Sequence, residues 1–211
     1  MVVPTGKHIM GVLPNYSTVE PGQAYVPITS REAWKLTAEG VFDVTVYPFT
    51  AFTAGVAQAQ HQEASWGYSF GAYAKRYAMS FADNTIGNFM VGAVVPSALH
   101  QDPRYFVLGH GNVFHRLGYA VSRSFITRGS KGQTEFNLSE LAGNWLGAEL
   151  ANVYHPAEDT SQSATLTRAE FQVLWDTTTN VIKEFWPDFN RLLHHRKKPA
   201  ATAPGGGGGG F

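Results

Sequence analysis

The chain has 211 residues, enough for one domain with a real core and too few for two ordinary ones. Only 15% of residues are charged while 13% are aromatic, and Lys plus Arg equals Asp plus Glu at 16 each, which leaves no global field to draw in nucleic acid. Cysteine is absent, so disulfides, thiolate metal sites and a cysteine nucleophile are excluded.

Residues 1–28 carry Pro4, Pro14, Pro21 and Pro27 among scattered glycines and read as an extended arm. Lys7 is followed by no apolar run or small-residue cleavage site, so the opening does not read as a signal peptide. "TSRE" at 29–32 is a capping box, with Thr29 as N-cap and Glu32 as its partner; it opens a helix expected to reach Tyr47, where Pro48 bends or ends it. A second helical segment covers 49–62, a third runs from Trp66 to Ala82, and a fourth runs from Ile86 to His100 with Pro96 inside it. The break between the last two falls at Asp83-Asn84, and Asp102 before Pro103 disfavours any continuation. The uncharged windows 44–60 and 84–101 approach membrane-spanning length, but their Thr, Gln, Asn and His content suits buried helices better.

Gly109 and Gly111 break the chain before Asn112, which caps a helix to Ser124. β-branched and aromatic residues around a Gly-Ser-Lys-Gly turn predict a short hairpin near 122–137. Helix resumes from Ser139 to Val153, closed by Pro156. Thr167 and Glu170 form another capping box, followed by an apolar face of Phe171, Leu174, Trp175, Ile182, Phe185 and Phe189 with a bend at Pro187. The expected fold is therefore mainly α. It is a helical bundle over 29–198 with one short hairpin, an extended Pro-rich N-terminal arm, and a flexible Pro/Ala/Gly-rich tail over 199–211.

Small residues recur every four positions: Ser139, Gly143, Gly147 and Ala151 on one helix face, and Ala51, Gly55 and Ala59 on another, with Gly67 and Gly71 ahead of an alanine stripe. Glycine costs about 1 kcal/mol against alanine inside a helix, so the pattern implies close approach of another backbone. That backbone belongs either to the same chain or to a neighbouring subunit. Glu149, Lys75, Arg76 and Asp83 interrupt the ladders with charge, which favours a membrane-surface or protein-assembly setting over deep bilayer spans.

"HQDPRYF" at 100–106 offers His100 and Asp102 as an acid/base pair, read against a structural role as a helix stop and polar lock. With His110 and His115 it matches no established zinc spacing, so no metal is expected. Arg104, Arg116, Arg123 and Arg128 are the candidates for holding an anion such as a phosphate, a lipid headgroup or a carboxylate, read against ordinary ion pairs to Glu135 and Glu140. Nucleophile elbows, Walker loops and dinucleotide fingerprints are missing, and no cofactor is expected.

The blocks "GVLPNY", "SFADNTIGNF", "HQDPRYF", "RLGYAVSRSFITR", "NLSELAG" and "EFWPDFN" resemble those of a family of uncharacterised bacterial proteins that are exported or envelope-associated. The resemblance spans most of 11–195 and implies an envelope setting, periplasmic or membrane-associated, without assigning a reaction. The first expectation is a non-enzymatic structural or assembly protein that forms a homo-oligomer or scaffolds a larger complex at the membrane surface. The alternative is a membrane-associated hydrolase or transferase acting on an anionic lipid or sugar through His100 and Asp102.

Overall fold

Thr29 begins the first helix by exchanging hydrogen bonds with Glu32. Its Oγ1 accepts the Glu32 N–H at 3.2 Å, and the Glu32 carboxylate accepts the Thr29 N–H at 2.9 Å, so two donors are satisfied reciprocally. In this computed structural model, which describes residues 8, 9, 11, 13–62 and 64–195, that helix is α1 (Ser30–Val41). It stops short of the expected Tyr47 because Asp43 captures the local donors: its Oδ1 accepts the Thr45 N–H at 2.9 Å and the Thr45 hydroxyl at 2.7 Å. Then α2 (Val46–Ala59) follows, and Pro48 lies in its first turn, where no helical N–H is required.

The third and fourth predicted helices are one continuous run. α3 (Phe70–Phe89) passes through Asp83 and Asn84 unbroken and continues through a π-helical turn (Met90–Val94) into α4 (Val95–Leu99). Asp and Asn each cost a helix interior only about 0.7 kcal/mol, and Asp83 is held by the Tyr154 hydroxyl at 2.6 Å and His155 Nε2 at 3.0 Å. The wider π turn lies next to Pro96 and relieves the clash between its ring and the preceding turn. Gly67, expected inside the third helix, sits before α3 in a turn with φ of +71°, a conformation that suits glycine.

The strands are short. β1 (His8–Ile9) pairs antiparallel with β2 (Leu13–Pro14), and β3 (Thr18–Val19) pairs parallel with β5 (Tyr105–Phe106). β4 (Gln101–Asp102) pairs with β6 (Ile126–Gly129), which forms the expected hairpin with β7 (Thr134–Phe136). The described part of the N-terminal arm is thus woven into the fold, with Ile9 and Val19 buried. The C-terminal tail at 199–211 lies outside the described residues.

Asn112 caps α5 (Val113–Ser122) through the His115 N–H at 2.8 Å, and Asn137 caps α6 (Leu138–Ala151) through the Glu140 N–H at 3.1 Å. α7 (Gln162–His195) begins ahead of Thr167, so the predicted second capping box is not used; the Ser161 hydroxyl accepts the Ala164 N–H instead. Pro187 is carried inside this helix, which continues past it.

α6 lies against both α3 and α7, α2 packs on α3, and α5 packs on α7. The Ser139, Gly143, Gly147 and Ala151 ladder is the α6 face of an internal seam. A Cβ on Gly143 would lie 3.0 Å from the Val91 backbone, and one on Gly147 would lie 3.2 Å from Gly87 Cα. The contact read as a possible subunit interface is therefore made within the chain. Ala51 and Gly55 face Tyr73 of α3, whose hydroxyl donates to the Ala51 carbonyl at 3.0 Å, whereas Ala59 and Gly71 are exposed. Among the described residues, no helix is long and apolar enough to cross a membrane.

Candidate functional site

The His100 and Asp102 pair is split by its backbone. His100 caps α4 with left-handed angles (φ 56°, ψ 37°) and is exposed, while Asp102, in β4, is 1% exposed. Asp102 Oδ1 accepts the Arg104 N–H at 3.0 Å and Nε–H at 2.9 Å, and Oδ2 accepts Nη2–H at 2.7 Å. Arg104 also donates to the Val26 carbonyl at 2.6 Å, which ties the N-terminal segment to this corner. Asp102 is thus the acceptor of a clamp, a geometry that lends nothing to an acid/base role with His100. His110 and His115 are exposed, and among the described residues no three His, Asp or Glu side chains are arranged to hold a metal ion.

The four candidate arginines do not meet at one site: Arg104 and Arg123 line a common cavity, whereas Arg116 and Arg128 are not among its lining residues. Arg116 is buried, donates Nε–H to Glu184 Oε1 at 2.8 Å, pairs with Asp188, and lies 4.6 Å from the Phe185 ring centroid. Glu184, 0% exposed, also accepts the Tyr105 hydroxyl and the Leu108 and Gly109 N–H groups, each at 2.9 Å. Burial, then the Glu184 charge, pushes the Tyr105 hydroxyl well above the usual tyrosine range. The partners of Arg116 are therefore on α7, and not Glu135 or Glu140. Arg128 lies 4.4 Å from the Phe106 ring centroid, and Arg123 lies 5.5 Å from that of Tyr119; neither forms an ion pair among the described residues.

Asp102, Arg104 and Arg123 line, with residues not named as candidates, a cavity of about 250 Å³ walled by α1, α2, α3, the β4–β5 corner, the start of α6 and the middle of α7. Its charged lining includes Glu140, Asp176, Lys183 and Arg123. Glu140 and Asp176 lie beside each other in this wall, near enough for each carboxyl to shift the proton affinity of the other. Asn144 Nδ2 donates to both, at 3.2 Å to Glu140 and 3.3 Å to Asp176. Burial and then the Asp176 charge hold the Glu140 carboxyl well above the usual glutamate range, and burial raises Asp176 as well. Burial depresses the Lys183 ammonium, an effect that the two carboxyls oppose. Burial likewise lowers the Arg123 guanidinium.

Glu140, Asp176 and Lys183 are not site candidates in the sequence reading, although a signal for them exists. Gln172, Asp176, Thr179 and Lys183 recur at helical spacing and form a polar stripe on α7. In the neighbouring apolar stripe Phe171 and Leu174 are 66% and 60% exposed while Trp175 lines the cavity, and the polar stripe lines the interior.

The raised Glu140 carboxyl gives a signed pH effect. Folded Glu140 keeps its proton where the unfolded chain has lost it, so its contribution to stability falls as pH rises from the ordinary carboxylate range through the folded value. Below the ordinary range that penalty is absent. Glu140→Gln retains an amide N–H toward Asp176 and has no proton to lose. Its melting temperature relative to the parent chain is expected to climb as pH rises above the ordinary carboxylate range. A constant difference over that rise, measured by circular dichroism, would show that Glu140 titrates normally.

No family model, curated protein or solved structure matches this chain. The class its fold defines is a mainly helical protein with a few short strands.

Proposed function

We propose that the chain is a non-enzymatic structural or assembly protein of the bacterial cell envelope, a bundle of helices that self-associates or scaffolds a membrane-associated complex. The observation that carries this reading is the outward placement of large apolar side chains around a polar interior. On α5, Val113, Phe114, Leu117 and Val121 form a helical stripe and are 64%, 84%, 39% and 40% exposed. On α6, Leu146 and Leu150 are exposed in the same way, Val153 is exposed just beyond its end, and α7 adds Phe171, Leu174 and Phe189. The interior meanwhile holds Asp102, Arg116, Asn144 and Glu184, and many of its apolar residues are alanines. Contiguous exposed apolar surface of this kind marks contacts with another protein or with lipid. Such contacts also account for the low charge content. The likeness of the "HQDPRYF" and "RLGYAVSRSFITR" blocks to an envelope-associated family supports the setting.

With the Gly143 and Gly147 faces used internally, association is assigned to the apolar stripes. Phe171→Glu combined with Leu174→Glu places two charges on the α7 stripe without touching the interior. The parent chain is expected to scatter light as an oligomer or to float with vesicles of phosphatidylethanolamine and phosphatidylglycerol, and the double variant to shift strongly toward monomer. A parent chain that is strictly monomeric and ignores vesicles overturns the reading.

A further inference from the structure

Thr179 of α7 departs from its neighbours. The Thr177 and Thr178 hydroxyls donate back to the Val173 and Leu174 carbonyls of their own helix, at 2.7 and 2.8 Å, as helical threonines commonly do. The Thr179 hydroxyl makes no such bond, nor any other among the described residues, and Thr179 lines the cavity. Asn180 repeats the pattern, lining the cavity with an amide that has no hydrogen-bond partner among the described residues. Asn84 of α3 is a third case: Asn88 Nδ2 donates to its backbone carbonyl at 2.8 Å, while its side chain lines the cavity without a hydrogen bond. Inner polar groups are ordinarily paired within the chain, so open donors and acceptors on one cavity mark space for a molecule that supplies their partners.

Helix geometry brings the α7 members together. Trp175, Asp176, Thr179, Asn180 and Lys183 follow at helical spacing and all line the cavity, so they share one face within about 12 Å of helix. The indole stands at one end and the ammonium at the other, with the hydroxyl, amide and carboxyl groups between them. Phe49 joins the indole end, its ring centroid 5.7 Å from that of Trp175, and makes an apolar wall there. Trp175 is 37% exposed, which puts that end at the surface and gives a ring a way in. Charge argues against an ionic occupant. Asp102, Glu140 and Asp176 face Arg104, Arg123 and Lys183 in the lining, so the formal charges cancel, and an added net charge would be buried without compensation. The volume of about 250 Å³ lies at the small end for ligand pockets, which suits a single sugar ring.

We propose that this cavity binds an uncharged, monosaccharide-sized polyhydroxy compound, a neutral sugar. Trp175 with Phe49 packs on the C–H face of the ring, Thr179, Asn180 and Asn84 hydrogen-bond its hydroxyls, and Asp176 and Lys183, opposite in charge, take those that remain. This site is separate from the outward apolar stripes, so sugar binding and self-association stand or fall independently.

Isothermal titration of the full chain at pH 6 with glucose, galactose and mannose, and with glucuronate and glucosamine as charged counterparts, tests the assignment. At least one neutral hexose is expected to bind at millimolar concentration, about ten-fold or more tighter than either charged counterpart. Thr179→Val and Asn180→Leu remove polar groups that have no partner in the protein, so both are expected to keep or raise the melting temperature. Each is nevertheless expected to weaken the hexose by about three-fold to ten-fold, the worth of one hydrogen bond. The proposal is overturned if no hexose binds, which would mean that the cavity holds water only. It is overturned equally if a charged counterpart matches the best hexose, or if either variant binds that hexose as the parent chain does.

Discussion

Gly143→Leu is expected to destabilise the chain by about 3 kcal/mol, lowering its melting temperature by roughly 6–12 °C. The cause is geometric. A Cβ alone at this position would sit 3.0 Å from the Val91 Cα, N and Cγ2, inside the roughly 3.5–4.0 Å at which carbon atoms attract. Two of those three atoms are backbone, so a rotamer change cannot relieve the contact. Leucine adds three more carbons to the same seam between α6 and the α3–π run. Gly143→Ala is the intermediate case, because the helix gains about 1 kcal/mol from alanine while the seam loses a comparable amount. Gly118 on α5 is the control: a Cβ there meets nothing within 4 Å, and Gly118→Ala should stabilise by up to about 1 kcal/mol. Urea denaturation at several protein concentrations reads all three. A Gly143→Leu loss confined to high concentration would instead place the ladder at a subunit contact.

The seam and the cavity are two sides of one arrangement. By letting α6 approach the α3–π run closely, Gly143 and Gly147 set the start of α6 where Glu140 reaches Asp176 of α7. The interior can then be polar because many of its groups are paired: Asn144 bridges the carboxyls, Arg104 holds Asp102, and Glu184 gathers its donors. With so much of that interior occupied by polar side chains, many of the large apolar residues lie at the surface. The outward stripes follow from the same packing.

What the sequence makes legible here is what a few neighbouring residues decide. The Thr29 and Glu32 exchange, the Asn112 cap and the glycine-turned hairpin are local, and each lies where residue type and spacing place it. Asp83-Asn84 misled because tertiary partners, Tyr154 and His155, hold Asp83 within a helix that propensity alone would end. Asp43 misled in the opposite sense, since its side chain takes the Thr45 donors and breaks a helix that its neighbours would continue. In α7 the two stripes were both visible, and their assignment to inside and outside was not. Amphipathic period fixes which residues share a face, whereas the meeting of Asp176 with Glu140 depends on how distant segments pack. The same holds for Arg116, whose partners Glu184 and Asp188 lie far along the chain.

Glu184→Ala is expected to cost about 3–5 kcal/mol, a large share of the roughly 5–15 kcal/mol that holds a domain folded. Its carboxylate accepts the Arg116 Nε–H at 2.8 Å and the Tyr105 hydroxyl, Leu108 N–H and Gly109 N–H at 2.9 Å. Glu184 is 0% exposed, so four donors lose their acceptor together away from the solvent surface. Asp188 still pairs with Arg116, which holds the loss toward the lower end of that range. Glu184→Gln keeps the shape but turns an amide N–H toward the donors, and should cost about 1–3 kcal/mol. The decisive measurement is the double variant with Arg116→Met. Once the guanidinium is gone there is no buried charge to strand, so the double variant should lose less than the sum of the two single losses. Strictly additive losses in urea denaturation would mean that Arg116 and Glu184 stabilise the chain through separate contacts, and that the charge pair itself is not what joins α5 to α7.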